Sequence, residues 1–243
     1  MSTTPRHRDS GASRGEDTSS RMPRESTVLE LESVEVRYGG LVAVAPLSLT
    51  VPAGQMLAIT GPSGAGKTSL LWLMAGALEA DRGTVEVDGS PVGDRPEAAA
   101  RGIVMVPQGN GLAAVLTAYE NIVVPLLDGG VSSDEADDRA REALEVVGLE
   151  EWAGHLVEEL SGGQQQRVAV ARALAAWASV LLADEPTSDL DGRNREVVMA
   201  ALRAAADRGA VVVLATHDPE AAAAADGELA LDAGEATWVR RLD

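Results

Sequence analysis

"GPSGAGKT", residues 61–68, lies between the apolar run "MLAIT" and the segment "SLLWLMAGAL", whose apolar residues have helical spacing. This order predicts a strand, a glycine-rich turn and a helix, and the octapeptide fits G-x-x-x-x-G-K-[ST]. Glycines permit backbone angles that other residues avoid, so successive N–H groups can turn inward around an anion, next to the positive end of the helix. The segment therefore predicts a phosphate-binding loop, with the hydroxyl of Thr68 available to Mg²⁺ and Ser69 beside it.

Lys67, inside this loop, is the only lysine among 243 residues, and because Lys and Arg total 20, the other 19 are arginines. The ammonium of lysine is a compact point charge, whereas the guanidinium of arginine is a planar fork. We therefore interpret Lys67 as a position where a small cation must enter a tight backbone cradle. Exchange of the two cations is expected to be most harmful here.

The composition excludes several classes of protein. The formal charge of -18 opposes general nucleic-acid binding, because most of the surface would repel a phosphate backbone. The absence of cysteine removes disulfides, cysteine-based zinc sites and thiol nucleophiles. The longest apolar candidate, "ALAAWASVLLA", is far shorter than the roughly 20 residues that cross a bilayer. We therefore expect a soluble protein that reaches a membrane only through a partner.

Residues 1–26 differ from the rest of the chain. They are rich in Ser, Thr, Arg, Gly and Pro and contain no apolar segment of the kind found in signal peptides. This composition predicts a disordered tail at 1–26, followed by one folded domain over 27–240.

From residue 27 onward, apolar strands alternate with helical segments. The runs "MLAIT", "GIVMVPQ", "VLLADE" and "AVVVLATH" are predicted strands, and "GGQQQRVAVARALAAW" and "GRNREVVMAALRAAADRG" are predicted helices. Buried strands that alternate with helices predict an α/β fold with a mostly parallel sheet. A helical section at about 109–165 interrupts the alternation, with Ser132 or Ser133 as a helix N-cap. The pattern ends in a predicted hairpin around Ala233 and Gly234.

Polar residues stand at the ends of these strands. Asp184 and Glu185 end "VLLADE", Gln108 ends "GIVMVPQ" and His217 ends "AVVVLATH". Carboxylates at the end of a buried parallel strand point to the ligand crevice. We expect Asp184 to hold hydrated Mg²⁺ and Glu185 to orient or deprotonate an attacking water. Tyr38, at the end of the first predicted strand, either stacks on a purine or covers the sheet edge.

A second unusual segment is "LSGGQQQR", residues 160–167. Ser161 is a favourable N-cap, and two glycines at a helix start expose backbone N–H groups beside the positive end of the helix dipole. The chain therefore has two predicted anion-binding surfaces. Either one chain binds two anions, or two chains pair head to tail so that each loop faces the other chain's segment.

Together these motifs resemble the ATP-binding subunits of ATP-binding-cassette (ABC) transporters, over nearly all of residues 28–239 and most specifically in "LSGGQQQR", the signature motif. The resemblance implies a P-loop (RecA-like) core with an antiparallel β subdomain and an inserted α-helical subdomain. It also implies ATP and Mg²⁺ as cofactors, ATP hydrolysis as the activity, and a dimer with a second, identical subunit.

The same resemblance assigns roles to single residues. The implied catalytic residues are Lys67, Glu185 and His217, and the implied metal contacts are Thr68, Gln108 and Asp184. Residues implied to bind ATP are Tyr38, Gly61, Pro62, Ser63, Gly64, Ala65, Gly66, Lys67, Thr68, Ser69 and Gln108. Residues implied to act on the other subunit's nucleotide are Ser161, Gly162, Gly163 and Gln164, and the implied D-loop is Ser188, Asp189, Leu190 and Asp191.

Within the family, "LTAYENIVVPLL" and "THDPEAAAAAD" resemble the lipoprotein-export and macrolide-export ATPases. The sequence departs from that group at Ser188 and Asp189, where the group more often has Gly-Asn. The resemblance implies an ATPase on the cytoplasmic face of the cell membrane that energises a separate transmembrane permease, with export as the expected direction. The apolar segment 109–127 either receives a short helix of the permease or packs in the core.

Two other functions share these motifs. A soluble cassette ATPase would act in iron–sulfur cluster assembly, DNA repair or ribosome function, and the single cassette, the lack of cysteine and the acidic charge oppose the last two. A non-hydrolysing structural or regulatory cassette is opposed by the presence of Glu185 and His217.

Overall fold

The computed structural model describes residues 27–242, and the predicted tail at 1–26 lies outside the described residues. The strands are β1 (Val28–Tyr38), β2 (Leu41–Pro52), β3 (Met56–Thr60), β4 (Arg82–Val87), β5 (Ser90–Pro91), β6 (Ile103–Val106), β7 (Val180–Asp184), β8 (Val211–Ala215), β9 (Gly227–Asp232) and β10 (Glu235–Arg240). The helices are α1 (Lys67–Met74), α2 (Arg95–Ala100), α3 (Glu120–Asp128), α4 (Ser133–Val146), α5 (Gly162–Ala175), α6 (Gly192–Asp207) and α7 (Pro219–Ala223). Single 3₁₀ turns cover Glu150–Trp152 and Val157–Glu159.

Four strands form an antiparallel sheet in the order β2-β1-β4-β5. The apolar/polar alternation of β1 buries Leu29 and Leu31 and leaves Glu30 and Glu32 exposed. At Ser33, where φ is 49°, the register of β1 shifts relative to both neighbouring strands. This sheet is the antiparallel β part of the expected fold.

The second sheet has the order β10-β9-β3-β8-β7-β6 and is parallel from β9 to β6. Helices or the other sheet cover both faces, so strands such as β8 are Val, Leu and Ala throughout, with every residue buried. β10 pairs antiparallel with β9 through the turn at Ala233 and Gly234, as predicted. The α/β class with a mostly parallel sheet is confirmed. Because the central strands are parallel, their carboxyl ends meet at one edge.

Two buried clusters hold the layers together. Alternate residues of β3 separate them, since Met56 and Ala58 belong to one cluster and Leu57 and Ile59 to the other. The first cluster joins the parallel sheet to α3, α4, α5 and α6, and the second joins it to α1 and the antiparallel sheet. Burial of each large aliphatic side chain contributes about 1.5–3 kcal/mol, so the parallel sheet is fixed from both faces.

The helical section consists of α3, α4, the two 3₁₀ turns and α5, with α3 and α4 packed on α5. Ser132, one of the two predicted caps, is the N-cap of α4, and its Oγ accepts from the N–H of Glu135 at 3.3 Å. The predicted limit near residue 165 falls inside α5. Within residues 27–242, none of the helices has both the length and the apolar character needed to cross a membrane.

Three of the strands end earlier than the sequence suggests. β6 ends at Val106 rather than at Gln108, because Pro107 has no N–H to continue the ladder. β8 ends at Ala215 rather than at His217, because the hydroxyl of Thr216 accepts from the N–H of Asp218 at 3.0 Å and turns the chain. β7 ends at Asp184, and Glu185 follows it.

Candidate functional site

The phosphate loop connects β3 to α1 and is shaped by close backbone neighbours. Gly66, with φ 107°, immediately precedes Lys67, the first residue of α1. A Cβ at Gly66 would lie 2.1 Å from the carbonyl oxygen of Ala43. A Cβ at Gly61, with φ 140°, would lie 2.1 Å from the carbonyl oxygen of Leu231. Strands β2 and β9 therefore confine the loop from two sides, and glycine is required at both positions.

The ammonium of Lys67 is enclosed by the backbone of its own loop. Its Nζ donates to the carbonyl oxygens of Gly61 at 2.8 Å and Pro62 at 3.2 Å, and lies 3.9 Å from Oε1 of Glu185. The residue is 8% exposed. The cation is therefore held in a narrow cradle at the carboxyl end of β3, where an entering phosphate would meet it.

Thr68 and Asp184 bring a hydroxyl and a carboxylate together. Oγ1 of Thr68 donates to Oδ2 of Asp184 at 2.8 Å. Burial raises the pKa of the Asp184 carboxyl, and the hydrogen bond from Thr68 partly offsets this by lowering it. Mg²⁺ prefers such oxygen donors and is commonly bound by one or two protein groups together with substrate phosphates and water. The donor pair fits Mg²⁺.

Glu185 lies between a cation and an imidazole. Its Oε2 is 2.9 Å from Nδ1 of His217, and its Oε1 faces Lys67. Glu185 has φ 51°, a conformation that costs about 1 kcal/mol or more outside glycine. The N–H of Glu185 donates to the carbonyl oxygen of Ala215 at 2.9 Å, which holds this conformation against β8. A buried carboxylate is thereby fixed at the mouth of the phosphate loop, in a position to accept a proton from water.

A groove of about 340 Å³ opens beside the loop. It is lined by Thr60, Gly61, Pro62, His217, Asp218, Pro219, Ala222 and Glu228. Glu228 accepts a hydrogen bond from Oγ1 of Thr60 at 3.0 Å. A second carboxylate therefore lies at this sheet edge, held by a different partner from that of Glu185.

Tyr38 and Gln108 lie at the rim of the same edge. The hydroxyl of Tyr38 is 3.3 Å from Oγ of Ser69 in α1, and the tyrosine is 45% exposed. Gln108 is exposed and follows β6, in which Val106 pairs with the residue before Asp184. The structure therefore brings Asp184, Glu185 and His217 to the phosphate loop, with Tyr38 beside α1 and Gln108 one strand further along the sheet.

The signature segment lies elsewhere in the chain. Ser161 is the N-cap of α5 and forms a capping box, in which its N–H donates to Oε1 of Gln164 at 2.8 Å. A Cβ at Gly163 would lie 3.1 Å from the carbonyl oxygen of Asp189, so the segment packs beside the predicted D-loop. In the part of the chain that the structure describes, no hydrogen bond or ion pair joins residues 161–164 to the loop at 61–68. One copy of the chain does not unite its two predicted anion surfaces.

The ABC transporter family matches residues 44–188. The chain belongs to the ABC transporter family. As an ABC transporter ATP-binding subunit, it binds ATP and hydrolyses it to drive transport, which confirms the resemblance seen in its motifs.

Named relatives of this ABC subunit work in different transport systems. LolD of Bacteroides thetaiotaomicron, the ATP-binding protein of a lipoprotein-releasing system, is 41% identical over 79% of this chain and 90% of its own length. A probable anion import ATP-binding protein of Haloferax volcanii is 39% identical, over 88% of this chain and 82% of its own length. The Fe(3+) import ATP-binding protein FbpC of Brucella abortus is 43% identical over 79% of this chain, which spans 55% of that protein.

A solved structure agrees with the fold of this ABC subunit. The ATP-binding cassette MJ0796, described as a dimer in a post-hydrolysis state with ADP and phosphate, superimposes with a TM-score of 0.79 at 33% identity. The match covers 88% of this chain and 100% of the cassette. The P-loop class predicted for residues 61–68 is therefore confirmed by a whole-domain likeness.

Proposed function

We propose that two identical copies of this chain bind two ATP molecules between them and that each nucleotide is shared by the phosphate loop of one copy and the signature segment of the other. The observation that carries this proposal is the separation of the two surfaces within one chain. The residues at 61–68 form a compact site with Glu185 and His217, whereas Ser161 begins a helix that has no hydrogen bond or ion pair with that site within the described residues. A head-to-tail pair completes both sites. The dimeric state of MJ0796 supports this arrangement.

Within each site, Lys67 and the backbone N–H groups of the loop bind the phosphates, and Glu185 deprotonates or orients the attacking water. His217 supports the terminal phosphate and holds the Glu185 carboxylate in place. Thr68 and Asp184, with Gln108 at the rim, hold Mg²⁺, which neutralises phosphate charge when bound. The hydroxyl–carboxylate contact at 2.8 Å and the buried position of Asp184 support this metal role.

The remaining residues of the phosphate loop, the signature segment and the D-loop are also assigned to the nucleotide site. The loop residues Gly61, Pro62, Ser63, Gly64, Ala65, Gly66 and Ser69 surround the phosphates, and Ser161, Gly162, Gly163 and Gln164 cap the partner's nucleotide. Ser188, Asp189, Leu190 and Asp191 form the D-loop beside that cap. Residues 27–240 constitute one ATP-binding domain, with the helical subdomain at about 109–165.

Tyr38 is proposed to stack under the adenine. Its ring is half-exposed and its hydroxyl reaches Ser69, next to the residue that would bind the metal. Replacing Tyr38 with Ala is expected to raise the KM for ATP by about 5- to 150-fold, since stacking of a base on an aromatic ring contributes about 1–3 kcal/mol. Tyr38→Phe, which keeps the ring, is the matched control and should stay near the wild-type KM. Equal KM values for all three chains in a steady-state assay would contradict the stacking role.

A substitution at Ser161 tests the shared site, because this residue begins the helix that would face the partner's nucleotide. Replacing Ser161 with Arg places a long cation where the partner's phosphates would lie, so dimerisation and hydrolysis should be lost while one copy still binds ATP. Ser161→Asn retains N-capping ability and separates the loss of the cap from the introduction of bulk. ATPase assays together with equilibrium ATP binding check both parts. A Ser161→Arg chain that hydrolyses ATP at the normal rate would refute the shared site.

The partner is proposed to be a transmembrane permease, which places this subunit on the cytoplasmic face of the membrane. Val115, Val124 and Leu127 of the segment 109–127 are exposed, at 83%, 48% and 44%, whereas Ile122 and Leu126 are buried. One part of the segment therefore packs in the core, and the other part forms an exposed apolar surface for the permease. Co-purification of a membrane protein with the tagged full chain tests this assignment. Recovery of an active soluble ATPase without a membrane protein would favour the iron–sulfur alternative instead.

Relatives named for release and for import match to a similar extent, at 41% and at 39–43% identity. The similarity therefore supports transport, and the export expected from the sequence stays a prediction. All of these relatives are transport proteins by name, which favours the permease over the iron–sulfur alternative.

A further inference from the structure

The side chain of His217 has few contacts that could fix its orientation. The imidazole is 68% exposed, and within residues 27–242 its hydrogen bond to Glu185 is the one that holds it. The direction of the ring therefore depends on the short loop 216–218 that carries it.

This loop is fixed at its two ends by backbone contacts. The N–H of Thr216 donates to the carbonyl oxygen of Ile59 at 3.0 Å, which continues the β3–β8 pairing. The hydroxyl of Thr216 accepts from the N–H of Asp218, and Oδ1 of Asp218 accepts from the N–H of Glu220 at 2.9 Å to cap α7. These contacts define the local turn, and they leave the second carboxylate oxygen of Asp218 available to another element.

Arg195, in the first turn of α6, occupies that oxygen. Its Nε lies 2.8 Å from Oδ2 of Asp218, and because the N–H is not directed at the oxygen, this contact is an ion pair rather than a good hydrogen bond. Its Nη1 also donates to the carboxylate of Glu220. The Arg195 side chain is 28% exposed and that of Asp218 is 18% exposed, so solvent screens this pair only in part.

The same residue is tied to the D-loop through its backbone. The N–H of Arg195 donates to the carbonyl oxygen of Asp191 at 2.9 Å, and Asp191 is the N-cap of α6. Gly163 of the signature segment packs on Asp189, two residues earlier in the D-loop. Arg195 therefore connects the D-loop and its signature neighbour to the loop that carries His217.

We propose that Arg195 is a positioning residue for ATP hydrolysis: it fixes the loop of His217 so that the imidazole meets Glu185, and it makes this alignment depend on the position of the D-loop. The inference rests on the roles proposed above for Glu185 and His217. In the described part of the chain, the Arg195 side chain has no hydrogen bond or ion pair with the phosphate loop. It acts on turnover and leaves ATP binding unchanged.

The test compares Arg195→Ala with Asp218→Asn in the full chain. Asn caps helices as well as Asp does, so Asp218→Asn keeps the start of α7 and removes only the charge that faces Arg195. Each variant is expected to lower kcat by about tenfold, because small displacements of a catalytic group have effects of this order or greater. The KM for ATP should stay within about twofold. The double variant should be no slower than Arg195→Ala, because both changes remove the same contact between Arg195 and Asp218. Arg195→Lys, which keeps a cation at this position, should restore part of the rate.

Arg203 supplies a control on the same helix. Its guanidinium contacts Asp207, Asp226 and the carbonyl oxygen of Gly54, so it anchors α6, and within residues 27–242 it has no hydrogen bond or ion pair with the His217 loop. Arg203→Ala should lower the melting temperature and keep the wild-type kcat.

Three outcomes would overturn the inference while leaving the proposed function intact. The first is a wild-type kcat in Arg195→Ala, and the second is a double variant whose loss in kcat equals the product of the two single losses. The third is a fall in kcat that accompanies the fall in melting temperature in both Arg195→Ala and Arg203→Ala. A Ser161→Arg chain that hydrolyses ATP at the normal rate would instead overturn the proposed function.

Discussion

Replacing Glu185 with Gln is expected to leave ATP binding intact and to lower turnover by about 10²–10⁴-fold, the range for loss of a general base. The Glu185 carboxylate is 2.9 Å from Nδ1 of His217 and 3.9 Å from Nζ of Lys67. Glutamine has the same shape and can still hydrogen-bond to His217, so the site keeps its form, but an amide does not accept a proton from water. Steady-state ATPase assays and equilibrium binding of a fluorescent ATP analogue measure the two effects separately.

Glu228→Gln is the matched control for this change. Glu228 is a partly buried glutamate at the same sheet edge, but its hydrogen bond comes from Thr60 rather than from His217. Its replacement should leave turnover unchanged. Normal turnover in Glu185→Gln, or an equal loss in both variants, would refute the assignment of Glu185 as the base.

Replacing Lys67 with Arg is expected to reduce ATP hydrolysis by about a hundredfold or more, the order seen when one preorganised donor to the reacting group is lost. The ammonium donates to the carbonyl oxygens of Gly61 and Pro62 at 2.8 and 3.2 Å inside a loop confined by neighbouring strands. A planar guanidinium retains the charge but does not fit a cradle formed around one small group. Circular dichroism shows whether the fold persists, and ATPase and binding assays show which step fails.

The control is the reverse exchange, from arginine to lysine, at a surface position. Arg101 is exposed at the end of α2 and takes part in no ion pair within residues 27–242, so Arg101→Lys should have wild-type activity. Wild-type hydrolysis in Lys67→Arg would show that any cation suffices in the loop.

Much of the fold could be predicted because its signals are local. The strand–loop–helix unit at 56–74 and the buried strand that ends at Asp184 are each continuous in the chain, and the cap at Ser161 is a four-residue pattern. Two short helices, α2 and α7, were not predicted, although each has a local helix-start signal in its sequence. Both α2 and α7 begin with an Asp N-cap and a proline in the first turn, as in "DRPEAAA" and "DPEAAA".

The arrangement of the site could be predicted only in part. A parallel sheet brings the ends of β7 and β8 together, so the proximity of Glu185 and His217 follows from topology, but the 2.9 Å contact also needs the left-handed conformation of Glu185. The contact of Arg195 with Asp218 has no sequence signal, because it depends on how α6 packs beside the loop that follows β8. Nor does spacing along the chain indicate that the carbonyls of Ala43 and Leu231 confine the loop.

Analytical ultracentrifugation of the Glu185→Gln chain, with and without MgATP, tests the shared site most directly, and the same chain with Ser161→Arg added is the control. Without nucleotide, both proteins should sediment as 25.1 kDa monomers. With MgATP, Glu185→Gln should form a stable species of twice that mass, whereas the Ser161→Arg double variant should bind ATP and remain monomeric. A Glu185→Gln chain that binds ATP but stays monomeric, or a dimer that forms regardless of Ser161, would contradict a nucleotide site completed by the second copy.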